Sequence, residues 1–177
     1  MEPKTLSRAA AAVTVTLSTS VLLMAAAVSG ASGAQPLAQR FTLSSTTIRG
    51  VDKPIHVVAA GPISGVGTLP APTHASRLEH LTLHFAKGSV SLLVAETFFA
   101  AHPNFRTCTA KMVGRGTFKI TGGSGAFRGA TGEGTFSRQS TLIGDRLPSG
   151  ACPGKNTPPK AVYTTSTFIG KAALPSA

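Results

Sequence analysis

A single carboxylic acid, Glu96, interrupts the most apolar of the strand-like runs, Ser89 to Phe99, and could do chemistry there. In an extended strand, alternate side chains share one face. The residues that share the face of Glu96 are Val90, Leu92, Val94 and Phe98. If that face lines a cavity, the carboxyl could donate a proton or orient a polar ligand, so Glu96 is a candidate ligand-binding residue. The alternative is a rim position, where Glu96 is solvated or paired with Arg106 or Lys87.

Two further polar residues, Arg138 and Tyr163, lie in strand-like runs where each could anchor a ligand. Arg138 shares a face with Phe136, and Tyr163 shares one with Ala161 and Thr165. A few polar groups in a mostly apolar pocket are the usual composition of small-molecule sites. Both residues could equally be surface residues at a strand end, and the sequence leaves this choice open.

Two histidines, His80 and His84, follow Glu79 at a four-residue spacing that on a helix would resemble a metal-binding pair. The run Arg77 to Phe85 alternates as a strand instead, and four residues along a strand separate two side chains by ~13 Å. We therefore expect outward-facing histidines, with His84 as a candidate for the mouth of a barrel. The spacing predicts neither a metal site nor a cofactor.

A glycine-rich segment, Gly122 to Gly125, invites comparison with a phosphate-binding loop. No GK[ST] motif follows it, and no helix begins there to point its amino terminus at a phosphate. The serine hydrolase motif GxSxG is also absent, because Ala126 occupies the position of its last glycine. The segment therefore predicts a turn and no catalysis.

The chain is organised around a glycine-rich hairpin from Val113 to Gln139. Two alternating runs, Val113 to Thr121 and Thr131 to Thr141, flank the segment Gly122 to Ala130. Glycines inside strands usually mark bends, bulges or places where another group comes close. The pattern predicts a strongly curved sheet.

This hairpin resembles the signature hairpin of the allene oxide cyclase and dirigent superfamily, including its small secreted bacterial members. The matching positions are Gly114, Gly116, Phe118, Ile120, Gly122 to Gly125, Phe127, Gly129, Ala130, Gly132 and Gly134. The resemblance implies an all-β fold, a single antiparallel eight-stranded β-barrel over residues 38–172. Plant cyclases of the superfamily isomerise an allene oxide inside the barrel, whereas dirigent proteins steer the coupling of phenoxy radicals. A shared fold does not choose between these activities, and the matched motif contains no catalytic residue to carry over.

Strand-like runs recur through the rest of the chain without helical segments. They are Phe41 to Ile48, Ile55 to Ala60, Ile63 to Leu69, Arg77 to Phe85, Ser89 to Phe99, Phe105 to Met112 and Ala161 to Ile169. Strands at this spacing predict a barrel or a two-sheet sandwich. The second and third runs could form one long strand with a bulge at Gly61-Pro62. Because the first and last runs share a Ser/Thr-rich, β-branched composition, we expect them to pair and close the barrel.

The amino terminus predicts export. Lys4 and Arg8 precede an apolar stretch from Ala9 to Val28, and small residues follow up to Ala34. This is the pattern of a cleaved signal peptide over residues 1–34, with Ala31 as the other cleavage position. A membrane anchor is the competing interpretation, since twenty mainly apolar residues can span a bilayer. The polar interruptions and small-residue exit favour a secreted protein without a stable membrane anchor.

The mature chain keeps two cysteines, Cys108 and Cys152. An even pair in an exported protein predicts one disulfide, worth ~4 kcal/mol for a loop of this length in the chain-entropy model. Two separate buried thiols are the alternative.

The chain is strongly basic, with a formal net charge of +11, and removal of residues 1–34 leaves +10. Such a charge favours anionic partners, including cell-envelope polymers. The cations are scattered, however, and the chain has no Trp and one Tyr, so the stacking platforms of nucleic-acid-binding barrels are missing and no nucleic acid is predicted. Solvated surface charge is the alternative account.

Three functions remain open at this point. The first is a secreted barrel that binds a small apolar or aromatic molecule. The second is an isomerase of the allene oxide cyclase type or a dirigent-like guide that acts in the barrel cavity. The third is a cationic envelope-associated protein with a packed barrel interior, because a small eight-stranded barrel can be filled by side chains or hold one ligand.

Overall fold

The computed structural model describes residues 35–70, 78–154 and 157–175, so the predicted signal peptide lies outside the described residues. The described chain is all-β, with one turn of 3-10 helix at Gly125–Phe127. Its strands are β1 (Leu37–Ile48), β2 (Val51–Asp52), β3 (Ile55–Ala60), β4 (Gly65–Leu69), β5 (Leu78–Phe85), β6 (Gly88–Asn104), β7 (Thr109–Gly123), β8 (Thr131–Ile143) and β9 (Ala161–Ala173). Within these ranges no helix is long and apolar enough to cross a membrane.

Eight of these strands close into an antiparallel barrel, which confirms the predicted fold class. The order is β1, β3, β4, β5, β6, β7, β8, β9, and β9 pairs with β1 from Leu37 opposite Ala172 to Ile48 opposite Ala161. The two-residue strand β2 pairs with the end of β1, on the same side of β1 as β3. The predicted pairing of the first and last strands is therefore confirmed, and the sandwich alternative is excluded.

The two ends of the barrel differ. At what we call the closed end, Phe127 from the 3-10 turn is buried and packs edge-to-face on Phe85, with 5.5 Å between ring centroids. At the opposite, open end lies the connection between β6 and β7, where β6 continues to Asn104. The predicted run Ser89 to Phe99 therefore continues to Asn104, and the predicted run Phe105 to Met112 begins as a strand only at Thr109.

The segment Ile55–Leu69 is not one bulged strand, because the chain reverses between β3 and β4. Gly61 has a φ of +130°, and a Cβ there would lie 2.4 Å from the carbonyl oxygen of Ala38. The buried Gln39 side chain holds the reversal: its Nε2 donates to the carbonyl of Ile63, and its Oε1 accepts from the Ile63 N–H, both at 2.9 Å. Because the chain reverses here, β3 and β4 are two separate strands of the eight-stranded barrel. Ile63, between them, is buried in the core.

Glycines of the central hairpin allow phenylalanine rings to lie against the neighbouring backbone. A Cβ on Gly116 would lie 2.7 Å from Cε1 of Phe136, and a Cβ on Gly134 the same distance from Cε1 of Phe118. The Phe118 ring packs edge-to-face on Phe168 at 5.4 Å, and Phe136 stacks on Phe168 at 5.3 Å. This aromatic layer fills the middle of the barrel and separates the packed closed end from the space above it.

The predicted disulfide is confirmed. Cys108, in the connection between β6 and β7, is bonded to Cys152 in the loop between β8 and β9, with 5.3 Å between their Cα atoms. The guanidinium of Arg146 donates to the carbonyl of Arg106 and ties the same two segments together. Both links lie at the open end.

Candidate functional site

A cavity of about 410 Å³ occupies the open end of the barrel. Its floor is the stacked pair Phe136 and Phe168, and Leu43, Leu81 and Val94 form apolar parts of its wall. These residues lie on five different strands, and each is positioned by the alternation that turns every second side chain inward. The aromatic layer therefore serves both as the top of the core and as the base of the cavity.

An ion pair crosses one wall of the cavity. Arg138 on β8 donates from Nη2 to Oε1 of Glu96 on β6 at 2.6 Å, and the two side chains are 30% and 14% exposed, respectively. The strand β7 runs between them, and the pair spans it at Gly114, where a Cβ would lie 2.1 Å from Glu96 Oε1. The missing side chain of Gly114 thus makes the contact sterically feasible, and each charge is balanced within the cavity wall.

A row of hydroxyl groups lines the wall beside this pair. Register places Ser45 of β1 opposite Thr164 of β9, and Thr164 opposite Ser140 of β8. The Ser140 and Thr164 hydroxyl oxygens are 2.9 Å apart, and Ser166 adds a further hydroxyl to the lining. Because a hydroxyl can both donate and accept, this row can bind carbonyl, hydroxyl or amine substituents of a ligand.

The mouth of the cavity combines an exposed aromatic ring with charged residues. Phe99 lines the cavity although its side chain is 56% exposed. The turn before β3 contributes Asp52 and Lys53, and Asp52 accepts a hydrogen bond from the Thr47 hydroxyl at 2.6 Å. Two strands further round the barrel, β5 contributes Glu79. The mouth is thus more polar than the floor.

A β-bulge decides which aromatic residue reaches the mouth. Glu96 lies opposite Gly116, but Phe98 lies opposite Arg115 and Phe99 opposite Gly114, so the register shifts by one residue between Glu96 and Phe98. The predicted common face of Glu96 and Phe98 is therefore wrong, since the extra residue turns Phe98 outward. There the Arg115 guanidinium carbon lies 5.9 Å from the centre of the Phe98 ring.

The structure brings two of the four predicted ligand-binding residues together and separates the other two from them. Glu96 and Arg138 form the ion pair of the cavity wall rather than pairs with Arg106 or Lys87. Tyr163 is 49% exposed and lies beside Thr46 and Thr141 on the outer face. His84 is exposed on β5, opposite Ser89 near the closed end, and does not line the cavity.

Sequence reasoning missed Phe99 and the hydroxyl row. The Ser/Thr-rich composition of β1 and β9 is the sequence signal for these hydroxyls, but composition alone does not distinguish inward hydroxyls from outward ones. Within the described part of the chain, no group of three or more His, Cys, Asp or Glu side chains is arranged to hold a metal ion. The arrangement is suited to holding a molecule with an apolar body and a few polar substituents.

Comparisons with protein-family models, with curated proteins and with solved structures find no match to this chain. The cavity and the side chains that line it are therefore the features that bear on function.

Proposed function

We propose that this protein is exported and binds a small apolar or aromatic molecule in the cavity at the open end of its barrel. The observation that carries the proposal is the cavity itself, about 410 Å³ above a floor of stacked phenylalanine rings. That volume is within the range of roughly 300–1,000 Å³ found for small-molecule pockets. A packed barrel acting only through its surface has no use for such a space.

The lining suggests how the ligand is oriented. An apolar or aromatic body would lie on Phe136 and Phe168, where it replaces contact with water by contact with the rings. Polar substituents would face the hydroxyl row and Arg138, whose bond to Glu96 uses one of its five N–H donors. Binding of this kind needs no covalent step.

Export and family membership are part of the same proposal. The basic start, apolar stretch and small-residue exit of residues 1–34 support secretion, and the disulfide between Cys108 and Cys152 agrees with an oxidising compartment. The closed eight-stranded barrel and the glycine pattern of its β7–β8 hairpin support a place in the allene oxide cyclase and dirigent superfamily. An isomerase acting in the cavity is the competing function, and it predicts loss of turnover in a Glu96 variant.

Native mass spectrometry of the mature protein from culture medium tests this proposal. We expect a bound mass that is released when the protein is denatured. The mass of the denatured polypeptide should correspond to a chain that begins at Gln35 and should be two hydrogens below the mass of the reduced chain. The same protein should bind N-phenyl-1-naphthylamine, a neutral apolar fluorophore, once the extra mass is removed. Protein that carries no extra mass and does not bind the fluorophore would contradict the proposal.

A further inference from the structure

Exposed large hydrophobic side chains concentrate at the open end of the barrel. Twelve such residues are exposed in the described ranges, and four of them, Leu37, Val58, Val66 and Ile169, lie on other parts of the wall. The remaining eight lie towards the open end: Ile48, Val51, Leu78, Phe98, Phe99, Phe105, Leu147 and Tyr163. Exposed apolar residues that gather at one end of a protein commonly mark an interaction surface.

Two of these residues, Phe105 and Leu147, lie in loops that are linked to each other. Phe105, at the connection between β6 and β7, is 76% exposed, and Leu147, in the loop after β8, is 43% exposed. The disulfide between Cys108 and Cys152 and the bond from Arg146 to the Arg106 carbonyl hold these loops against each other. The apolar tip is therefore preformed, and little order has to be gained when it binds.

The charge around this tip is positive. Among the residues that the structure describes, the cations towards the open end besides Arg138 include Arg49, Lys53, Arg106, Lys111, Arg146 and Lys160. The acidic residues described at the same end are fewer: Asp52, Glu79, Glu96 and Asp145. Glu96 pairs with Arg138, and Asp145 lies 4.0 Å from Lys160 Nζ. Separate apolar and aromatic side chains among excess Lys and Arg are typical of proteins that lie on an anionic lipid surface.

We propose that the open end docks on an anionic lipid bilayer, with Phe105 and Leu147 inserted at the headgroup level. This inference rests on the proposed function and deepens it, because Phe99, Asp52 and Lys53 place the mouth of the cavity at the same end. Docking would turn the mouth towards the lipid, so that an apolar ligand passes between bilayer and cavity with little exposure to water. The source of the ligand is then a membrane.

Sedimentation with lipid vesicles tests this inference on the mature, disulfide-bonded protein. We expect sedimentation with vesicles of phosphatidylcholine and phosphatidylglycerol, much less with phosphatidylcholine alone, and release at high salt. Phe105→Ser should weaken partition by about tenfold or more, the scale of one buried aromatic side chain. The matched control is Val66→Ser, since Val66 is 70% exposed on the barrel wall and should bind vesicles like the wild type.

A second variant separates charge from apolar insertion. Lys111→Gln should weaken binding to the anionic vesicles and reduce its salt dependence, whereas Lys171→Gln, on β9 at the closed end, should do neither. Equal sedimentation of Phe105→Ser, Val66→Ser and wild type, or no sedimentation of the wild type, would overturn the inference. So would a concentration-dependent dimer that Phe105→Ser abolishes in the absence of any vesicle binding, because the tip would then bind a second copy of the chain.

The proposed ligand binding and the proposed membrane docking can be tested independently of each other. Binding of N-phenyl-1-naphthylamine is measured without vesicles, and Phe105 does not line the cavity. A protein that binds the fluorophore but not vesicles keeps the proposed function and loses the docking inference. Phe105→Ser should bind the fluorophore like the wild type, which also shows that the variant is folded.

Discussion

Arg138 and Glu96 form an ion pair although their strands, β8 and β6, are not neighbours in the sheet. The contact spans β7 at Gly114, which has no side chain to separate them. The glycine pattern of the central hairpin thus has a second role besides curvature: it brings a carboxylate and a guanidinium together above an aromatic floor. That arrangement gives the cavity its orienting polar groups.

Gly114→Ala should break this arrangement. Its Cβ would lie 2.1 Å from Glu96 Oε1, so the carboxylate has to move away from Arg138. We expect a loss of about 0.5–1 kcal/mol in the free energy of unfolding, measured by urea denaturation, because the flexible carboxylate can move and the main cost is the broken, partly exposed ion pair. Gly154→Ala is the control, because nothing lies within 4 Å of its Cβ position. Equal stability of the two variants would show that the contact across β7 is not sterically constrained.

Glu96→Gln should change which ligands bind. The substitution keeps the size of the side chain and leaves the charge of Arg138 unbalanced in the cavity wall. We expect affinity for an anionic apolar fluorophore, 1-anilinonaphthalene-8-sulfonate, to rise about tenfold relative to that for neutral N-phenyl-1-naphthylamine. Fluorescence titration of both probes measures the ratio. An unchanged ratio would place the probes away from this pair, and loss of turnover of a substrate with unchanged affinity would favour the isomerase.

Gln39→Leu should destabilise the closed end without reaching the cavity. It leaves the buried N–H and C=O of Ile63 without the Gln39 carboxamide, and an unpaired buried group costs about 1–3 kcal/mol. We therefore expect a large fall in the urea midpoint with fluorophore affinity preserved in the folded protein. Gln139→Leu, at an exposed position on β8, is the matched control. A fall of the same size in both variants would exclude the specific role of Gln39.

The sequence predicts the barrel better than it predicts the site. Alternation and strand composition predict the strands, because both are local properties, but they leave a barrel and a sandwich open. The eight-stranded barrel was implied by the resemblance of the central hairpin, and the shared composition of β1 and β9 favoured their pairing. The same alternation left the inward position of Glu96 as one of two alternatives, because both faces of its strand are similarly apolar. The sequence does not predict that Phe99, and not Phe98, reaches the mouth of the cavity, because no glycine or proline marks the bulge after Glu96.

Other features of the site depend on contacts between distant parts of the chain. Arg138 and Glu96 are 42 residues apart in sequence, and their pairing requires both the closed barrel and the register of β7 between them. The row of Ser45, Thr164 and Ser140 likewise exists only once three strands are aligned. The reversal between β3 and β4 depends on Gln39, which lies 24 residues before Ile63. Local pattern does not contain this information.

Fluorescence titration of N-phenyl-1-naphthylamine into a pair of β9 variants tests the central claim most directly. Ser166 lines the cavity and its neighbour Thr165 is exposed on the outer face, so Ser166→Phe fills the binding space and Thr165→Phe does not. We predict loss of binding by about tenfold or more in Ser166→Phe and wild-type affinity in Thr165→Phe, with both variants retaining the far-ultraviolet circular dichroism of the barrel. Ser45→Phe and Ser44→Phe repeat the comparison on β1. Equal affinity in the inward and outward variants would contradict a ligand site inside the barrel.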